Sequence, residues 1–108
     1  MIMQVVTFTS RLSDEEALRV MEERAPQYRA LPGLLQKYYV KDPVAGKFGG
    51  IYLWDSETSL RAFRQSELAR TIASSYEVAG ESRIETFEVL FPLLEQTAPA
   101  GHPVSEAS

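Results

Sequence analysis

Gln36, Tyr38, Tyr52 and Trp54 recur two residues apart on either side of a turn. Side chains of a strand alternate between faces, so residues at that spacing share one face if the two segments pair. Pairing about Gly46 places Val40 near Gly50, Tyr38 near Tyr52 and Gln36 near Trp54. A one-residue slip would exchange the partners of the third strand. Two phenols, an indole and an amide on one surface can stack on a flat aromatic ligand and give it one or two hydrogen bonds. Gly49-Gly50 inside a strand signals either a bulge or a close approach to the backbone, so Gly50 is read as a gap for ligand access. Phe63 closes the same site from the inner side of a following helix. The substrate-binding set is therefore Gln36, Tyr38, Gly50, Tyr52, Trp54 and Phe63.

Proton transfer needs a group whose charge can change. Tyr52 and Glu88 are the candidates for the catalytic role. Glu88, if it faces inward on the last strand, is a buried carboxylate that must pair with Arg83 or Lys37, or take a raised pKa. The opposite face of the hairpin carries Lys37, Tyr39, Ile51 and Leu53. Lys37 and Lys41 are read as rim or salt-bridge residues. The same aromatics are also suited to core or subunit contacts, given their preference for strands.

Much chemistry is excluded by composition. The 108 residues contain no cysteine, no asparagine and one histidine, His102. Thiolate metal sites, disulfides and cysteine nucleophiles are absent with the cysteines. A three-histidine zinc centre is impossible, and a Ser-His-Asp relay would need His102, which sits in a Pro/Gly-bearing tail. No metal and no cofactor are expected. Net charge is −4 with no basic stripe, so no nucleic-acid partner is expected. No apolar run is long enough to span a membrane, and the N-terminal residues lack the pattern of a signal peptide. A cytoplasmic, soluble protein is the expectation, with 44% hydrophobic residues sufficient for one modest core.

These residues must be held by a small set of elements. Ile2 to Thr9 reads as a central strand, with apolar residues at both parities. Ser13 and Glu16 form a capping box ahead of a helix whose apolar stripe is Leu18, Met21, Ala25 and Tyr28. Pro26 kinks that helix without ending it, and Leu31-Pro32-Gly33 stops it. Strands over Leu34 to Asp42 and Phe48 to Asp55 make a hairpin. Ser56 or Asp55 caps a second helix bearing Leu60 and Phe63, Ser66 marks a break or a second cap, and Leu68, Ile72 and Tyr76 continue the inner face. Gly80 ends the helical region, and Ser82 to Phe91 supplies the last strand. Residues 1–95 are read as one domain and 96–108, with His102, as a mobile tail. The order β-α-β-β-α-β specifies an α+β, ferredoxin-like fold, a four-stranded antiparallel sheet with helices on one face. The other face would expose apolar side chains, so self-association as a homodimer is expected.

The segment LPGLLQKYYVKDPVAGKFGGIYLWDSETSLRAFRQSEL, residues 31–68, resembles the YdhR-type monooxygenase family. Its most specific part is Gly49 to Trp54, and GESRIETFEVL, residues 80–90, looks like that family's final strand. The resemblance covers most of residues 2–92 and implies a dimeric α+β barrel related to the antibiotic-biosynthesis monooxygenases. It implies cofactor-independent oxygenation of a small aromatic or enolic substrate in a pocket between sheet and helices. Alternatives within the same resemblance are a non-catalytic dimeric small-molecule binding or stress-response module, and a small lactone or enol isomerase. The Asn-Trp pair or pocket His used by many oxygenase and haem-degrading relatives has no counterpart here.

Overall fold

A computed structural model describes residues 1–94. The expected tail over 96–108, with His102, lies outside the described residues. The elements are β1 (Ile2–Ser10), α1 (Asp14–Arg29), β2 (Leu34–Lys41), β3 (Phe48–Trp54), α2 (Glu57–Arg64), α3 (Glu67–Arg70), α4 (Ile72–Ser75) and β4 (Val78–Glu88). They form one sheet in the order β2-β3-β1-β4. Every adjacent pair is antiparallel. This is the ferredoxin-like arrangement, with β1 in the centre as its two-sided apolar content requires.

The helices begin where their caps dictate. The Ser13 hydroxyl accepts from the Glu16 N–H at 3.1 Å, and the Glu16 carboxylate accepts from the Ser13 N–H at 2.8 Å. Ser56 and Ser66 accept from the Ser59 and Ala69 N–H groups in the same way, starting α2 and α3. Pro26 is carried inside α1, which continues to Arg29. The inner stripe of α1 runs through Ala17, Met21 and Tyr28; Leu18 is 55% exposed. The expected stripe was wrong at that position because Leu18 faces the gap between α1 and β2, not the sheet.

Two apolar clusters join the helices to one face of the sheet. Tyr28, Tyr52, Trp54, Leu60, Phe63 and Leu68 make one, and Phe8, Ala17, Met21, Phe48 and Tyr76 the other. The opposite face bears Met3 and Val5, Ile51 and Leu53, with Tyr38 and Phe87 half exposed.

The bulges fall at other places than the sequence suggests. Of the two readings of Gly49-Gly50, the close approach holds and the bulge does not: both residues pair regularly with β1 and β2, and a β-carbon on Gly49 would lie 2.1 Å from the Val6 carbonyl oxygen. The β2–β3 register shifts instead between Leu34 and Gln36, where Leu35 is the extra residue. Gly80 does not precede β4 but lies inside it, with φ +76, where the β1–β4 register shifts between Thr7 and Thr9. Glycine adopts that conformation without steric cost. The last strand thus starts at Val78 and ends at Glu88 rather than running from Ser82 to Phe91.

Candidate active site between α1 and the sheet

The β2–β3 register decides which side chains meet. Lys37 pairs with Tyr52, Tyr39 with Gly50, and Lys41 with Phe48, and these share the helix-facing side. Tyr38 pairs with Ile51, Gln36 with Leu53 and Val40 with Gly49, on the open face. The expected pairing was therefore one residue out of step. Tyr38 does not join Tyr52 and Trp54, and Gln36 stands apart from Trp54 although its side chain lines the edge of a groove. In their place the site gains Lys37 and Tyr39.

Lys37 is the unusual member. Its ammonium sits over the ring faces of Tyr28, Tyr39 and Tyr52, at 3.3, 4.3 and 4.7 Å from their centroids. No carboxylate pairs with it among the described residues. Burial, with the positive charge of Arg24 as a second cause, pushes its pKa down from 10.5 to about 7. Lys41 does take the salt-bridge role, to Asp14 at the start of α1. Lys37 does not, because the slipped register turns it inward, where rings and not acids surround it. The sequence signal is weak: Lys37 follows Gln36 and precedes Tyr38 and Tyr39 on the strand, and either parity is compatible with the pattern.

Arg24 is fixed by α3 and α4, donating to Thr71 Oγ1 at 3.1 Å, Ser75 Oγ at 2.7 Å and the Leu68 carbonyl at 2.7 Å. Tyr52 is 3% exposed, and burial together with the Tyr28 hydroxyl pushes its phenol far above the ordinary value of 10. Tyr52 thus keeps its proton at all ordinary pH and can donate a hydrogen bond but not act as a base. Burial likewise raises Tyr39 and Tyr76.

Two spaces meet at Lys37. A groove of about 370 Å³ runs between α1 and the β2 edge, lined by Ala25, Tyr28, Arg29, Leu34, Lys37 and Tyr39 among others. Behind it lies a cavity of about 20 Å³, bounded by Tyr28, Lys37, Tyr39, Gly50, Tyr52 and Tyr76 among others. Neither lining includes an acidic residue. Gly50 keeps this corner open: a β-carbon there would lie 3.1 Å from Lys37 Cε and 3.2 Å from Tyr52 Cε1. Gly49 lets the strands approach, since its β-carbon would fall 2.1 Å from the Val6 carbonyl oxygen.

The remaining candidates fall elsewhere. Trp54 is fully enclosed, stacked on Tyr52 at 6.1 Å and 5°, and borders neither space. Phe63 packs against Tyr28, Tyr52 and Trp54 as core. Both support Tyr52 from behind rather than touching the openings. Glu88 pairs with Ile2 on the edge strand β4 and is exposed, so the condition for a buried carboxylate, that it face inward, is not met. Arg83 pairs instead with Glu85. Among the described residues no group of three His, Asp or Glu side chains converges as a metal site. No helix among them is long and apolar enough to cross a membrane.

The model of the family described as "Putative mono-oxygenase ydhR" matches residues 2–98. No curated protein matches the chain in sequence. Among solved structures, a Nitrosomonas europaea protein of unknown function, NE2512, superposes with a TM-score of 0.71 at 19% identity, covering 89% of this chain and 95% of that one. A putative antibiotic biosynthesis monooxygenase from Deinococcus radiodurans gives 0.69 at 17% identity, covering 90% and 100%. SnoaB, a cofactor-independent oxygenase from Streptomyces nogalater, gives 0.70 at 17% identity, covering 87% and 97%. Likeness at these identities establishes the shared fold.

Proposed function

This chain belongs to the ydhR mono-oxygenase family, and on that footing we propose that it oxygenates a small aromatic or enolic substrate without a cofactor, in the groove between α1 and β2. The observation that carries this reading is the unpaired Lys37 amine at the junction of groove and cavity, flanked by three tyrosine rings. A phenol or enol stacked on those rings loses its proton to the free amine of Lys37. The ammonium so formed holds the anion beside it, and Tyr52 offers a hydrogen bond from the back wall. An electron-rich anion can pass an electron to O2; joining the two radicals makes a C–O bond. Protonation gives a hydroperoxide, and loss of water leaves a carbonyl. One oxygen atom enters the product, the other leaves as water, and the substrate carbon supplies the electrons. The protein contributes orientation, a proton acceptor and shelter from water.

The open sheet face supports a homodimer, since Met3, Val5, Ile51 and Leu53 with Tyr38 and Phe87 make an apolar surface that water does not favour. Oxygen-electrode assays with anthrones, naphthols and cyclic 1,3-diketones test the catalytic reading. Wild type is expected to consume one O2 per product, and Lys37→Met to lose roughly a hundredfold in rate, the usual worth of a positioned base. Binding without oxygen consumption would leave a binding module, and an unaffected Lys37→Met would remove the amine from the mechanism.

A further inference from the structure

We propose that Lys37 is also a carbonyl-trapping residue, whose Nζ condenses with an aromatic aldehyde or ketone entering along the α1–β2 groove to give a protein-bound imine. This inference stands on the amine and the groove alone and does not depend on oxygenation. The chain has three lysines. Lys41 is bridged to Asp14, and Lys47 lies exposed in the turn between β2 and β3. Only Lys37 combines enclosure with an opening large enough for a one- or two-ring molecule.

The surroundings favour the nucleophilic form of the amine. The charged and titratable groups facing Lys37 are Arg24, Tyr28 and Arg29 from α1, Tyr39 from β2, Tyr52 from β3 and Tyr76 from the end of α4. All are cations or phenols and none is a carboxylate, so the ammonium has no anionic partner there. Burial and Arg24 bring its pKa to about 7, leaving roughly half the molecules with a free amine near neutral pH. A desolvated lysine next to a second cation is a recognised way to prepare an amine for attack on a carbonyl. The apolar lining from Ala25, Leu34 and Leu35, with the Tyr28 and Tyr39 rings, suits an aryl group on the carbonyl.

The chemistry closes without an added reagent. The nitrogen lone pair forms the C–N bond while the carbonyl π electrons move to oxygen, and a proton passes from nitrogen to that oxygen. The carbinolamine then loses water, leaving C=N. No atom is oxidised or reduced, and water is the sole co-product.

The test uses the full chain, 2-naphthaldehyde and sodium cyanoborohydride at pH 7 without oxygen, followed by peptide mapping by mass spectrometry. Lys37 is expected to gain the naphthylmethyl mass at least roughly tenfold faster than Lys41 or Lys47, because of its larger free-amine fraction. The preference is expected to vanish in urea, and no adduct is expected at position 37 in Lys37→Arg. Labelling of Lys37 no faster than Lys47 in the folded wild type would overturn the proposal, as would a preference that persists in urea. Because no turnover is needed, this outcome is read independently of any failure of the oxygen assay.

Discussion

Replacing Lys37 by methionine should make this protein more stable, and the size of the gain should depend on pH. The folded chain releases the Lys37 proton near pH 7, whereas the unfolded chain holds it to about 10.5. Between those values the unfolded state binds more protons, so wild-type stability rises with pH through this window and is lowest below it. At about 1.4 kcal/mol for each tenfold change in proton affinity, the ceiling on the cost is about 5 kcal/mol. The actual cost is smaller. The side chain is half-buried with its groove side open to solvent, and cation–π contact with tyrosine returns ~1–2 kcal/mol. A net gain of about 2 kcal/mol for Lys37→Met is expected below pH 7, since methionine fills the same volume and packs well against rings. The gain should be roughly halved near pH 9 and absent above 10.5. Urea denaturation at pH 6, 9 and 11, followed through the fluorescence of the single tryptophan, Trp54, measures it directly. A Lys37→Met protein less stable than wild type at pH 6, or a gap that does not change with pH, would refute a desolvated and unpaired Lys37.

The two adjacent glycines should differ in their tolerance. Gly49→Ala meets a backbone oxygen at 2.1 Å and must disturb the sheet, at a cost of ~3 kcal/mol, whereas Gly50→Ala meets side-chain atoms at 3.1 and 3.2 Å that can give way, at ~1 kcal/mol; thermal denaturation in the reverse order would contradict the geometry. Tyr39→Ala should weaken binding of 2-naphthol by ~1 kcal/mol, and Tyr38→Ala should leave it unchanged, as read by Trp54 quenching. If the open face forms the proposed homodimer, Phe87→Asp should sediment as a monomer where wild type sediments as a dimer, while Ile84→Asp, exposed on the other side of the same strand, should stay dimeric.

Local signals that act within a few residues were legible along the chain. Ser13 with Glu16, Ser56 and Ser66 marked the helix starts because a side-chain oxygen satisfies N–H groups two or three residues ahead, wherever the helix finally packs. The turn chemistry of residues 42–47 fixed a hairpin, and the order of elements then left the ferredoxin-like sheet as the consistent topology. The family resemblance lay in the same segment, Gly49 to Trp54.

Register was not legible. Strand β2 carries an aromatic or long polar residue at both parities, Lys37 and Tyr39 on one, Gln36 and Tyr38 on the other, so pattern alone permits either face inward. Pairing over the whole of β3 sets Lys41 opposite Phe48 and carries Lys37 to Tyr52; the extra residue Leu35 then restores Leu34 to Trp54. That exchange turned the expected Tyr38 site outward and brought an unpaired amine into a ring-lined corner. The exposure of Glu88 was equally beyond the sequence, since it depends on β4 lying at the edge of the sheet. Which elements form was written in short-range hydrogen bonding. Which side chains meet was decided by strand pairing and helix coverage, interactions between residues far apart in the chain.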